Sequence, residues 1–329
     1  MKRHKICKII FAILAVFLCV AFYELIGICI TYKKQPAVSD ATIKETQNIM
    51  SVAGRENTER AVIIEKNSQA LLERVRLIQN AKDEIILSTF AFKSDESGKL
   101  ILGALHDAAD RGVHVRILVD GMESWIDMEG NPYFYGLSSH ENVEIKLYNK
   151  ANPLKPWKTM GRMHDKYLIA DGKIYILGGR NTYNYFLGDF PGHKNFDRDV
   201  LVVCDEPQKD NSVNQLWNYF ETIWEQEDCR YFHNSKKLAD RQSVKKAVLE
   251  LQEGYQQYFE VNKEKICDTD YADETFETEK ITLLSNPIHT QAKEPVVWYQ
   301  LGELMKNAKE RVKIHTPYII CNDMMYNTW

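Results

Sequence analysis

Residues 9–32 read IIFAILAVFLCVAFYELIGICITY, 24 residues carrying one charge, Glu24. A water-soluble domain has nowhere to hide such a run unless it becomes a core helix. As a helix it is about 36 Å long, enough for a hydrocarbon layer of roughly 30 Å. The apolar part of a secretion signal is usually about 7–15 residues and leads to a small-x-small cleavage site. This run is longer and continues into Lys33-Lys34-Gln35-Pro36, so an uncleaved transmembrane anchor over residues 1–34 is expected. Lys2, Arg3, Lys5 and Lys8 precede the span, whereas only Lys33 and Lys34 follow it closely. The positive-inside rule then puts the N-terminus in the cytoplasm and residues 35–329 outside. Glu24 reads either as a functional intramembrane acid or as an acid near the outer end of a tilted helix, and the second reading is preferred.

The remainder has a globular composition. The whole 329-residue chain is 44% hydrophobic and 27% charged, which excludes a disordered or collagen-like chain and suits about two domains. Its 42 basic and 46 acidic residues leave a net charge of −4. With no basic stripe, nucleic acid is not an expected partner. Seven cysteines (Cys7, Cys19, Cys29, Cys204, Cys229, Cys267 and Cys321) are too few for a disulfide scaffold, and no C-x-x-C pair or His/Cys cluster suggests zinc. A disulfide outside the cell is allowed, with no pair indicated.

Residues 35–66 are polar and poor in aromatics and read as a stalk. A first lobe follows over 67–264. Asn67 to Ala81 has helical periodicity through Leu71, Leu72, Val75 and Ile78, and Glu84 to Ala91 reads as a buried strand. Ser97 to Arg111 is a helix stopped by Gly112, and Val113 to Val119 the next strand. Alternating helix and strand predict parallel pairing and covered sheet faces. Val143 to Tyr148 and Asp197 to Cys204 are further strands. Asp171-Gly172 between two β-rich runs, 167–170 and 173–177, predicts a two-residue type I′ hairpin. Residues 210–262 look helical, with Trp217, Phe220 and Trp224 on one face. Acids concentrate in 265–280, read as a linker. From 281 a second lobe begins: a strand over Lys280 to Leu284, a helix over Val296 to Ala308 and a strand over Val312 to Thr316.

That second lobe resembles the first. Leu77 to Phe92 aligns with Leu304 to Ile319 at a constant offset of 227, identical at five of sixteen positions (Leu77/Leu304, Asn80/Asn307, Ala81/Ala308, Lys82/Lys309 and Thr89/Thr316). Any amphipathic helix feeding a buried strand has some of this character; duplication of one helix-to-strand unit is the preferred reading.

The chemistry-bearing residues lie in the first copy. His164-Asp-Lys166 opens a strand pattern, so the imidazole and the ammonium point the same way. An ammonium holds a phosphate charge, and an imidazole can attack phosphorus or move a proton. Gly178-Gly179 lets the backbone approach closely, and Asn181 can donate to a phosphoryl oxygen. The array His164-x-Lys166-x4-Asp171-x6-Gly178-Gly179 matches the HxKxxxxDxxxxxxG(G/S) signature of the phospholipase D superfamily. With the GGRN and FDRDV stretches, the chain resembles its bacterial cardiolipin-synthase-like branch. The resemblance is good over about Ala81 to Val203 and weaker over about Ile281 to Cys321, where His-Thr-Pro-Tyr looks like the family's second-half strand.

The resemblance implies an α/β fold: an α/β/α sandwich lobe with a mixed sheet, an incomplete second lobe and the N-terminal transmembrane helix. It implies that His164 is the nucleophile forming a phosphohistidine, that Lys166 and Asn181 contact the phosphate together with Gly178 and Gly179, and that Asp171 is more often structural, holding its turn. A downstream carboxylate orients the histidine in this family. Asp199 is the candidate, with Asp197 behind it, although either could be a surface strand residue. No cofactor and no metal are implied. The expected substrate is an anionic glycerophospholipid and the expected place a bacterial cell membrane.

One departure is large. Family members combine two such motifs, and none of the other eight histidines here (His4, His106, His114, His140, His193, His233, His289 and His315) begins a second one. By the repeat offset, the second motif would fall near position 391. The expectation is a truncated product or fragment, with a homodimer or complementing second lobe as the alternative. The functional expectation is a membrane-anchored phosphatidyltransferase or phospholipase, with an inert remnant or a nuclease as alternatives. Aromatic residues flanking the motif (Trp125, Tyr133 to Tyr135, Trp157, Tyr183 to Phe190) are read as loop residues suited to acyl chains or to packing. Lys155, Lys158 and Arg162 are read as able to draw in an anionic headgroup, or simply as a solvated basic loop.

Overall fold

The computed structural model describes residues 2–51, 58–233, 235–314, 316 and 326. The chain divides into two compact units: residues 1–54, 151–161 and 284–329 form one, and residues 55–150 and 162–283 the other.

The larger unit is built on a nine-stranded mixed sheet. Its strands are β1 (Arg60–Ile64), β2 (Glu84–Thr89), β3 (His114–Asp120), β4 (Val143–Tyr148), β5 (Tyr167–Ala170), β6 (Ile174–Gly178), β7 (Asp199–Val203), β8 (Cys229–Tyr231) and β9 (Phe276–Glu277). They lie in the order β8-β4-β3-β2-β5-β6-β7-β1-β9. β2, β3 and β4 run parallel, as expected of strands linked through helices, while β2–β5 and the pairs beyond are antiparallel. Both faces of the central strands are covered: Ile85 and Ile86, adjacent in β2, are each fully buried. That is why the stretch reads as a continuous apolar run rather than an alternating one.

Helices α3 (Asn67–Asn80), α4 (Glu96–Asp110), α6 (Pro132–Ser138) and α9 (Gln242–Ile266) pack on one another and share a single core with Val115, Ile117, Leu168, Ile176 and Leu201 of the sheet. Helix α7 (Ser212–Trp224) covers other strand residues. Trp217 donates to Glu84, Tyr175 shares a hydrogen bond with Ser212, and Arg116 lies over the Phe220 and Trp224 rings. The result is the expected α/β/α sandwich. Gly112 takes φ +93 just past α4, as a helix-ending glycine should. Asp171 and Gly172 at φ 51 and 62 form the predicted turn between β5 and β6, but Ala170 pairs with Ile174, so the loop includes Lys173 and is one residue longer than predicted.

Several expectations are corrected. Residues 60–64, at the end of the stretch read as a stalk, form β1, because Ala61-Val62-Ile63-Ile64 finds a partner in β7. The acidic stretch is held down rather than free: Arg76 binds Glu274, Asp268 and the backbone of Asp270 and lies over the Tyr271 ring. Residues 210–262 are not continuously helical, since β8 and α8 (Lys236–Ala239) intervene. Trp125 lies on helix α5 (Gly121–Asp127) and Tyr133 to Tyr135 on α6, not in loops. Phe134 and Phe186 are core residues, whereas Trp125 is 61% exposed.

In the smaller unit, α1 (Lys2–Tyr32) is long and apolar enough to cross a membrane, and its apolar side chains are exposed. The Trp157 indole, on a short 3-10 helix (Pro156–Met160), lies so close to Gly27 of α1 that a side chain there would overlap the ring. Tyr23 packs edge-on to the same indole and donates to the Leu154 carbonyl. Helix α2 (Asp40–Ser51) is tied to the turn before α10 (Val296–Lys306) by Glu294, which accepts from Ser39 and Thr42. The predicted helix at 296–308 is present. The predicted strands are not: 280–284 and 312–314 are irregular, because a strand needs a neighbour and none is offered to them among the described residues. Leu283, the last residue of the larger unit, spends its N–H on the Gln215 side chain of that unit instead. His315, Tyr318 and Cys321 lie outside the described residues.

Candidate active site

The motif assembles where β2 and β3 end. Because β2 and β3 are parallel, their C-terminal ends share one edge, the usual place for a ligand in an α/β sheet. β5 runs antiparallel to β2 with Tyr167 opposite Ser88, so the residues just before β5 fall at that edge. His164 and Lys166 belong to this extended approach and not to the strand itself. Their side chains still share one side, for both the His164 ring and the Lys166 ammonium meet Phe90. The intervening Asp165 accepts instead from Tyr219 of α7, at 2.8 Å.

His164 is exposed and Lys166 is buried. The Lys166 Nζ donates to the His164 carbonyl at 2.6 Å, which folds the lysine back beside the imidazole. Partial loss of hydration lowers the His164 pKa from its ordinary value; Lys166 and Arg162 add to this, and Asp120 and Glu123 oppose it. Burial lowers Lys166 to about 8, against the opposing charges of Asp165 and Asp197. Asn181 is buried, and its Oδ1 accepts from the Ala91 N–H at 3.2 Å. The NH2 end of the amide makes no hydrogen bond among the described residues.

Gly178 and Gly179 sit where β6 meets the chain entering β7. A Cβ on Gly178 would overlap the Asp199 carboxylate and the Arg198 carbonyl, and one on Gly179 the Asp197 carboxylate. The pair is glycine because two aspartates crowd it. Gly178 also donates its N–H to the Lys166 carbonyl, so the β6 end is pinned to the motif.

Two predicted residues lie elsewhere. Asp171 is at the opposite end of β5, where its carboxylate accepts from the backbone N–H groups of Lys82, Asp83 and Glu84. Asp199 is buried in an ion cluster: its Oδ2 is 2.9 Å from Arg74 Nη1 and 3.3 Å from Arg180 Nη1, while Oδ1 has no hydrogen-bond partner. Two guanidinium groups, not an imidazole, claim this carboxylate. Arg180 also reaches the Ile64, Glu65 and Asp197 carbonyls, so it is a bracket between β1 and the β7 approach.

The carboxylates that bear on His164 come from elsewhere. Asp120, the last residue of β3, grips Arg162 with both oxygens (2.9 and 3.0 Å to Nε) and accepts from the Met163 N–H at 3.1 Å. Glu123 of α5 takes the Arg162 Nη2 at 3.0 Å. Arg162 is thus committed to two acids and is not a free lure for a headgroup. Phe90, Asp120 and Glu123 were missed from the sequence. The one available signal was an acid followed by glycine at the end of a buried strand, Val119-Asp120-Gly121.

Residues 75–224 match the family model described as "Cardiolipin synthase, PLD-like domain". The chain is 27% identical over 292 residues to a Helicobacter pylori protein described as uncharacterized, covering 80% of this chain and 55% of that one. It is 29% identical over 154 residues to cardiolipin synthase C of Escherichia coli K12, covering 43% and 31%. The chain thus spans about half or less of the length of these curated relatives. A crystal structure of phosphatidylserine synthase from Haemophilus influenzae is similar at 16% identity with a TM-score of 0.45, over 67% of this chain and 48% of that one.

Proposed function

The chain belongs to the phospholipase D superfamily, in its cardiolipin-synthase-like branch, and on that premise we propose that it is a membrane-anchored phosphatidyltransferase acting on an anionic glycerophospholipid. The single observation that carries this reading is the convergence of an exposed imidazole, a buried ammonium and the side-chain carbonyl of the Asn181 amide on the short stretch Phe90–Ala91. A ring nitrogen of neutral His164 attacks phosphorus and forms a P–N bond. The P–O bond to the leaving alcohol breaks, and its electron pair stays on oxygen, which takes a proton from a second histidine outside this motif. An acceptor hydroxyl, of an alcohol or water, then gives its proton to that second histidine and attacks phosphorus, and the P–N bond breaks to release His164. Lys166 and Asn181 neutralise and bridge the phosphoryl oxygens, the larger part of the catalytic task in such transfers. Asp120 and Glu123 hold the Arg162–Met163 approach to the nucleophile, and Asp171 fixes the turn. The acidic net charge speaks against a nuclease.

The anchor is the apolar helix ending at Tyr32, with the N-terminus on the cytoplasmic side. Purified protein incubated with labelled phosphatidylglycerol in mixed micelles, its products separated by thin-layer chromatography, is expected to give cardiolipin or phosphatidic acid. His164→Ala is expected to abolish both product and trapped phosphohistidine while leaving expression intact. Turnover surviving in that variant refutes the assignment. Cleavage of DNA without lipid turnover favours the nuclease, and wild-type protein that forms neither product nor phosphohistidine is inert.

A further inference from the structure

Phe90 follows β2 directly and is held there on both sides. The neighbouring Ala91 N–H is bound by Asn181 and its carbonyl by Thr182, while Phe92 bridges to Thr182 and packs into the core on Phe134. The half-buried Phe90 ring does not join that core. It meets three residues of one short segment instead: the His164 ring edge-on at 4.6 Å and 64°, the Arg162 guanidinium carbon at 4.9 Å and the Lys166 Nζ at 5.3 Å from its centroid. An aromatic face is electron-rich, so it attracts cations and accepts the edge of another ring.

We propose that Phe90 is a positioning residue for the nucleophile: it sets the orientation of the His164 imidazole, shields one side of it from water, and keeps the Arg162 and Lys166 cations beside it before phosphate arrives. The inference rests on His164 being the nucleophile. Among the described residues the His164 ring makes no hydrogen bond, and its backbone is tied by Lys166 through the His164 carbonyl. Without the Phe90 ring the imidazole samples other rotamers, and water reaches the side that Phe90 covers. The other charges facing His164 remain: Lys166 and Arg162 on its own segment, Asp120 on β3 and Glu123 on α5.

Two readouts on full-length protein in detergent separate this role from simple support. The His164 ring, labelled and followed by NMR through a pH titration, reports its pKa without turnover; lipid transfer gives kcat and KM. Phe90→Leu is expected to raise the His164 pKa towards the ordinary histidine value, as water returns, and to lower kcat about tenfold or more with little change in KM. Phe90→Tyr, which keeps the ring, is expected to restore both. If Phe90→Leu unfolds, Phe90→Met keeps the volume without the ring and gives the same two readouts. An unchanged His164 pKa together with an unchanged kcat overturns the proposal. A shifted pKa in a protein that never turns lipid over keeps the packing role and removes the functional reading instead.

Discussion

At the scale of single residues the site poses a protonation problem. Nucleophilic attack needs neutral His164, and phosphate binding needs charged Lys166. Histidine ordinarily titrates near about 6.5. Dehydration pushes His164 below that, with Lys166 and Arg162 helping and Asp120 and Glu123 opposing. Burial brings Lys166 down to about 8. For His164 a lower pKa means that the neutral form persists into mild acid; for Lys166 it means that the charge is lost in mild base. The kcat/KM of the free enzyme is therefore expected to rise with pH through a value below about 6.5 and to fall by about 8, earlier where the protonated second histidine is lost first. A profile still rising well above that, or an acid limb at or above the ordinary histidine value, counts against these assignments. Linkage has the same sign: the unfolded chain takes up the His164 proton first, so stability falls as pH drops through about 6.5. Asp199 has no part in this balance, for its charge is spent on Arg74 and Arg180 in the interior. An isolated carboxylate there would be costly, which is reason enough for two arginines to converge on it.

At the scale of elements the β5–β6 hairpin separates structure from chemistry. His164 precedes one end of β5 and Asp171 terminates the other, so the motif's aspartate acts through the fold. Asp171→Ala removes the acceptor of three backbone N–H groups at the start of β2 and puts alanine at a φ of 51. Stability is expected to fall by about 1–3 kcal/mol, read from the urea midpoint, because those N–H groups are largely exposed and water replaces part of what is lost. Activity per folded molecule should persist. A variant as stable as the parent yet inactive would move Asp171 into the site. This hairpin was legible in the sequence because Asp-Gly turns and two-sided burial are local signals, and His164, Lys166 and Asn181 were legible because their spacing is. Phe90, Asp120 and Glu123 were not, since sheet order alone brings β2 and β3 to the approach of β5. β1 escaped notice for the same reason: its partner β7 lies far along the chain. Asp199 carried the right spacing, but its rotamer depends on Arg74, a helix residue that no local pattern links to it.

At the scale of the whole molecule the open question is where the second proton donor comes from. The sequence holds one HxK motif, whereas the reaction proposed above needs one histidine to attack and another to protonate the leaving oxygen. If residues 1–329 turn lipid over with a second HxK motif, that motif is the one of another copy, with the two His164 side chains facing each other across a two-fold axis. Mixing makes this countable. When wild-type and His164→Ala chains are unfolded and refolded together, or co-expressed, in equal amounts, random pairing leaves about a quarter of the dimers with two intact motifs. A pair with one histidine can attack or protonate but not both. Activity is therefore expected to drop to about a quarter of that of the same total of wild-type protein, and to follow the square of the wild-type fraction. A linear decline, to about half at equal mixing, would mean that each chain works alone, with both steps served by groups of one chain. The proposed anchor adds a test of geometry: two such helices inserted in one bilayer would restrict their soluble units to a common side and raise their local concentration. The squared dependence should therefore hold in liposomes at dilutions where detergent-solubilised protein has already lost activity.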